Sequence, residues 1–194
     1  MSDWWDELES MHQPKSPIRA EELFLKGLRF IREILETVIP AVMIALLINL
    51  FMAQATRVYG QSMEPNLRTD QRLIVEKLSY HLHPPRRGDV VVLKLHHDDS
   101  ELLIKRVIAL PGERVEIREG RVFINGQALE EPYLKQFTAG QMATKVVPPL
   151  HVFVLGDNRG FSNDSRSFGM VSFADIVGRA FFSYWPLDRF GPVY

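Results

Sequence analysis

Between Glu36 and Arg57 the chain runs for twenty residues without a charge, TVIPAVMIALLINLFMAQAT, and fifteen of them are apolar. As an α-helix this stretch would be about 30 Å long, the thickness of a bilayer's hydrocarbon core. Buried helices of soluble domains rarely run so far without a charge. Pro40 and Asn49 interrupt the apolar character, but membrane helices tolerate both. The small-residue pattern Ala53-Gln54-Ala55 has the form of a leader cleavage site. Against a cleaved leader, the run exceeds the usual 7–15 residues of such segments, and thirty-six residues precede it. The expectation is a retained transmembrane helix over residues 37–56.

The remainder divides around that span. Residues 1–36 are expected to form a loose tail followed by an amphipathic helix, because Leu23, Phe24, Leu28, Ile31, Ile34 and Leu35 recur at helical spacing among Lys26, Arg29 and Arg32. Basic residues are balanced on the two sides of the span, so charge alone leaves its orientation open. The chain of 194 residues has a formal charge of −1, which excludes a bulk basic nucleic-acid binder. It contains no cysteine, which removes disulfides, thiolate metal sites and a thiol nucleophile.

Residues 57–194 read as β structure. The runs Arg72–Leu78, Asp89–Leu95, Leu102–Ala109, Arg114–Ile117, Arg121–Ile124 and Val152–Leu155 are short and rich in Val, Ile, Leu and Phe, and Ile176–Tyr184 continues the pattern. Turn signals separate them, among them Pro111-Gly112, Glu119-Gly120 and Asn125-Gly126. The expected fold is mainly β: an antiparallel β-sheet domain over residues 57–194, with a small hairpin-rich insertion at about 112–149, plus one N-terminal transmembrane helix.

Three segments depart from this background: Gly60-Gln61-Ser62-Met63-Glu64-Pro65, Lys105-Arg106 inside LLIKRVIAL, and Gly156-Asp157-Asn158-Arg159 followed by Ser162-Asn163-Asp164-Ser165-Arg166. Strand alternation puts Lys105 on one face with Leu103 and Val107, where loss of water would disfavour the ammonium and free an amine to act as a base. Ser62 needs such a base to become a nucleophile, and Gly60 allows a tight turn that presents backbone N–H groups. Taken singly, a turn serine and a lysine reaching solvent from a strand edge are the better explanations of these residues, since buried lysines are rare. His81, His83, His96, His97 and the neighbouring Asp98 and Asp99 read as loop residues rather than metal ligands. With no cysteine and no suitably placed histidine, Ser with Lys is the nucleophile–base pair that remains.

In order, GQSMEPNL, GDVVVL, LIKRVIALPGE and GDNRGFSNDSR resemble the conserved boxes of type I signal peptidases, membrane-anchored serine proteases with a Ser–Lys dyad. The resemblance implies that Ser62 is the nucleophile and Lys105 the general base. It implies an oxyanion hole made by the Ser62 N–H and a backbone donor at Gly60. Ser162 corresponds to a hydroxyl that orients the lysine amine, and Asp157, Arg106, Asp164 and Arg166 to a supporting charged network. Val58, Met63, Leu67, Leu103 and Ile104 correspond to shallow apolar pockets that accept alanine-sized side chains, hence an A-x-A preference. Gly160 and Phe161 stand where the usual box has Asp and Asn, Asn66 where threonine is common, and Ala109 where glycine is common.

The implied partners are secretory preproteins carrying signal peptides, the lipid bilayer and the nearby protein translocation machinery, with no nucleic acid. No metal or other cofactor is implied. The implied place is a single pass through a bacterial plasma membrane with the catalytic domain on the extracytoplasmic side, where Ser62, six residues beyond the span, meets a cleavage site at similar depth. Three other readings stay open: a Ser–Lys protease that cleaves itself, a maturation peptidase with a narrow substrate, and an anchored β domain that binds preproteins without cutting them.

Overall fold

The computed structural model describes residues 20–51, 53–94 and 102–194. The expectations for residues 1–19 and for His96, His97, Asp98 and Asp99 fall outside them. One compact unit comprises residues 1–46 and a second residues 47–194.

Helix α1, Ala20–Phe51, runs through Pro40. Its apolar side chains lie on all sides: Leu28, Phe30, Ile31, Ile34, Leu35, Val38, Ile39, Val42, Met43, Ile44 and Leu46 are all exposed. The helix does not extend to residue 56, which corrects the expected span. It stops at Phe51, and Ala53–Arg57 form strand β1, held antiparallel to β2 (Arg72–Glu76) in the register Ala55↔Ile74. The uncharged helical stretch from Thr37 to Phe51 is therefore fifteen residues, about 22 Å at the α-helical rise and short of a hydrocarbon core. Among the described residues no helix is long and apolar enough to cross a membrane. The A-x-A sequence at Ala53–Ala55 is part of a paired strand rather than a free segment.

The strands continue with β3 (Val90–Lys94), β4 (Leu102–Ala109), β5 (Arg114–Arg118), β6 (Arg121–Ile124), β7 (Gln127–Ala128), β8 (Met142–Val146), β9 (His151–Leu155), β10 (Val171–Ser172), β11 (Ile176–Trp185) and β12 (Gly191–Pro192). Short helices α2 (Ser79–Leu82) and α3 (Ser165–Phe168) interrupt them. The larger sheet has the order β1-β2-β11-β3-β4-β9-β10, with β12 on β11; the smaller has the order β7-β6-β5-β8. Every pairing is antiparallel.

Local sequence accounts for the smaller sheet. In β5 Val115 and Ile117 are buried while Arg114 and Arg118 are exposed, the period of a half-buried strand. Glu119 and Gly120 both have positive φ, 52° and 73°, and so do Asn125 and Gly126, 53° and 84°. Two consecutive left-handed residues make the two-residue hairpin turn whose twist matches the flanking strands. The apolar faces meet in one cluster, in which Val115, Ile117, Val122 and Ile124 of the smaller sheet pack with Ile108, Phe153 and Leu155 of the larger. Burying each such side chain contributes about 1.5–3 kcal/mol.

Strand β4 is the spine of the site. Its neighbours β3 and β9 pair Val91 with Lys105, Val90 with Arg106, and Arg106 with Leu155. That register places the segment following Leu155 beside Arg106.

Candidate active site

Ser62 sits on the turn between β1 and β2, and Lys105 on β4. The fold brings them together across 43 positions: Lys105 Nζ lies 3.0 Å from Ser62 Oγ, donating to it, and donates also to the Ile104 carbonyl at 3.0 Å. Ser62 Oγ is 3.5 Å from the same carbonyl. Lys105 is only 2% exposed, so its amine works in a site from which bulk water is largely excluded.

The turn that presents Ser62 is fixed from within and without. Gly60 has φ of 77°, which a side chain would strain, and its carbonyl accepts from Thr69 Oγ1 at 2.9 Å. Glu64 N–H closes on Gln61 O at 3.1 Å and Leu67 N–H on Met63 O at 2.9 Å. From outside, Asn158 N–H donates to Ser62 O at 2.9 Å and Asn158 Nδ2 to Gln61 O at 3.0 Å. Gly156 passes so close that a Cβ there would lie 2.4 Å from Ser62 O and 2.2 Å from Ser162 Oγ. Among the described residues, neither the Gly60 nor the Ser62 N–H donates to another protein group, which leaves both available to a ligand.

Buried ion pairs support this arrangement. Arg106 and Asp157 meet side by side, Nε–Oδ1 2.8 Å and Nη2–Oδ2 2.6 Å, with side chains 2% and 1% exposed. Such a two-point contact is the strong form of a charged hydrogen bond. Arg106 Nη1 also donates to Gly88 O at 2.9 Å, and the guanidinium lies 4.1 Å from the centre of the Tyr133 ring. Asn66 Nδ2 bridges Asp157 Oδ2 at 2.8 Å and Tyr133 O at 3.0 Å. Burial beside the Glu131 carboxylate pushes the Tyr133 phenol well above its usual range; its hydroxyl donates to Glu131 Oε1 at 2.8 Å.

A second pair joins Arg159, whose side chain is fully buried, to Glu131, with Arg159 also bonded to Thr138. In a third, Arg166 holds Asp164 at 2.8 Å through both Nε and Nη2. Burial alone would push the Asp164 carboxyl up, but the Arg166 hydrogen bonds, with the Gly156 N–H at 3.1 Å, outweigh it and hold it below the usual carboxylate range.

Most residues singled out in the sequence fall into this assembly: Gly60, Ser62, Lys105, Arg106, Asp157, Asp164 and Arg166. Ser162 lies against Gly156 as its place in the box requires, but its buried Oγ has no hydrogen-bond partner, so the expected bond to the lysine amine is not made. Val58, Met63, Leu67 and Ile104 are buried in one cluster with Leu73, Val75, Val90 and Val92. Leu103 is not with them. Strand alternation turns it to the opposite face of β4, where it packs against the group containing Val91, Val107 and Val154. The structure adds roles for Asn66, Glu131, Tyr133, Asn158 and Arg159, of which Asn66, Asn158 and Arg159 stand inside the quoted boxes.

One family model and three relatives match this chain. Residues 31–185 match the family model described as signal peptidase, peptidase S26. Signal peptidase I of Leptolyngbya laminosa is 45% identical over 164 residues, 81% of this chain and 81% of that protein. Probable signal peptidase I-1 of a Synechocystis strain is 40% identical over 170 residues, 84% of this chain and 87% of that one. Signal peptidase I of Bacillus caldolyticus is 40% identical over 164 residues, covering 77% and 89% respectively.

Proposed function

The chain belongs to the signal peptidase family, peptidase S26, and is a serine peptidase that removes signal peptides from preproteins; from that premise we propose that Ser62 is its nucleophile and Lys105 its general base. The observation that carries the proposal is the 3.0 Å approach of Lys105 Nζ to Ser62 Oγ, within reach for direct proton transfer. In its neutral form the amine takes the hydroxyl proton as Oγ attacks the carbonyl before the scissile bond. The N–H groups of Ser62 and Gly60 receive the oxyanion. Lys105 then gives the proton to the leaving amine, and a water that it activates hydrolyses the ester. Asp157, Arg106, Asp164 and Arg166 hold the segments that carry these groups.

Specificity follows from the closed packing of Val58, Met63, Leu67 and Ile104. A floor so tightly filled admits only small side chains above it, which supports an A-x-A type of site. The chain works at a bilayer, where helix α1 supplies the anchor. Its exposed apolar residues have no favourable place in water, and the Arg32–Glu36 pair at 2.6 Å lets the charged turns lie at the headgroup level. Shorter than an ordinary span, α1 crosses once only where the bilayer thins around it, which leaves residues 57–194 on the extracytoplasmic side, next to the translocation machinery that delivers signal peptides. Enzyme and substrate held in one plane meet at raised effective concentration.

Cleavage of a preprotein with an A-x-A site, assayed in detergent or lipid vesicles, tests the dyad. Ser62→Ala and Lys105→Ala are each expected to lose at least three orders of magnitude in kcat/KM; near-normal cleavage by either overturns the assignment. Carbonate extraction of membranes tests the anchor: the full chain stays with the lipid, and release into the supernatant excludes insertion.

A further inference from the structure

Asn158 makes contacts whose combined effect is directional. Its side-chain amide donates to Gln61 O at 3.0 Å while its backbone N–H donates to Ser62 O at 2.9 Å. One residue thus grips the carbonyls on both sides of the Ser62 Cα. Gln61 O and the Ser62 N–H belong to the same planar peptide unit, and in the trans form they point in opposite directions. Fixing the carbonyl therefore fixes the line along which the N–H points. The Glu64 N–H, 3.1 Å from Gln61 O, holds the carbonyl from inside the turn, but it moves with that turn. Asn158 belongs to a separate segment, anchored by the buried Arg106–Asp157 pair beside it. The amide's own orientation is set in turn: Gln136 Nε2 donates to Asn158 Oδ1 at 3.2 Å, which leaves Nδ2 facing Gln61.

We propose that Asn158 is a positioning residue that aims the Ser62 N–H at the developing oxyanion by holding the Gln61–Ser62 peptide plane. The proposal rests on Ser62 being the nucleophile and its N–H an oxyanion donor. Removing an oxyanion donor outright costs about 10²–10³ in kcat, and a misdirected donor costs less. Asn158→Asp keeps the shape and the backbone bond to Ser62 O but loses the amide donor; Asn158→Ala loses the side chain altogether.

The test measures kcat and KM of the full chain in detergent on an A-x-A preprotein, together with inhibition by a peptide aldehyde ending in alanine. Such an aldehyde forms a tetrahedral adduct on the serine and places its oxygen in the hole. Both variants are expected to lose 10- to 100-fold in kcat with KM within about twofold of wild type. The aldehyde inhibition constant should rise by the factor by which kcat/KM falls, with the pH–rate limb unmoved. A merely structural role would lower Tm without this parallel. An unchanged kcat, a loss confined to KM, or an unchanged aldehyde constant overturns the proposal. Should Asn158→Ala not fold, Gln136→Ala frees the amide from outside the turn and should lower kcat three- to tenfold; no fall counts against the proposal. Ser62→Ala is run alongside. Full activity there refutes the nucleophile itself, whereas an inert Ser62→Ala with normal Asn158 variants refutes only the positioning role.

Discussion

Asp157→Ala removes one member of the Arg106–Asp157 pair and should be the most destabilising single change near the site. Arg106 is left 2% exposed without its two short bonds of 2.8 and 2.6 Å. The Gly88 carbonyl and the Tyr133 ring face remain, but neither neutralises a charge, and Asn66 also loses one of its two acceptors, keeping Tyr133 O. An uncompensated buried charge of this kind costs about 3–5 kcal/mol. Domains of this size shift by roughly 2–4 °C in Tm per kcal/mol, so the expected fall is about 6–20 °C. Circular dichroism melting in detergent reads it directly. Replacing both partners, as Arg106→Met with Asp157→Leu, removes the stranded charge and leaves only the Gly88 carbonyl and the Asn66 amide short of partners. That double variant should therefore be more stable than Asp157→Ala alone. A fall of less than about 3 °C for Asp157→Ala refutes the reasoning, as does a double variant whose loss is the sum of the two single losses.

Gly156→Ala would force a Cβ to within 2.4 Å of Ser62 O, so the nucleophile turn must retreat. A displacement approaching 1 Å predicts about a 100-fold loss of cleavage with the circular dichroism spectrum retained. Asn66→Thr forfeits the bonds to Asp157 and Tyr133 O and should lower stability by about 1–3 kcal/mol, read as a lower urea midpoint. For Asp164 the folded pKa lies below the unfolded value of about 3.9. Its contribution is thus fully present above about pH 4 and is lost as pH falls through the lower folded value. Asp164→Asn should lower Tm at pH 7 and flatten the acid side of the Tm–pH curve; a steeper acid side than wild type refutes the assignment.

Alternation and turn chemistry made the central strands legible. The runs read at Leu102–Ala109 and Arg121–Ile124 coincide with β4 and β6, and the Glu119-Gly120 and Asn125-Gly126 signals fall on two-residue turns. Strand β1 was hidden because Ala-Gln-Ala-Thr-Arg carries no strand signal of its own and adjoins an apolar run; its pairing with β2 is what makes it a strand. Strand β8, Met142–Val146, is mostly exposed, so no hydrophobic pattern announces it. Leu103 looked equivalent to Ile104 as a pocket residue, yet alternate strand residues face opposite sides, and only Ile104 reaches Met63 and Val58.

Residue chemistry alone restricted the nucleophile to serine in a chain without cysteine, and period and turn residues restricted residues 57–194 to antiparallel β structure. Which groups meet was decided by the tertiary fold. Ser62 and Lys105 stand 43 positions apart, and the Asp157 carboxylate reaches Arg106 across 51. Asn158 finds the Gln61 carbonyl across 97. Contacts at such separations depend on the order of strands in the sheet and on the register between β3, β4 and β9, and neither is written in any local stretch of sequence. The helix shows the same division: twenty uncharged residues are visible in the chain, but strand pairing claims the last of them and ends the helix at Phe51.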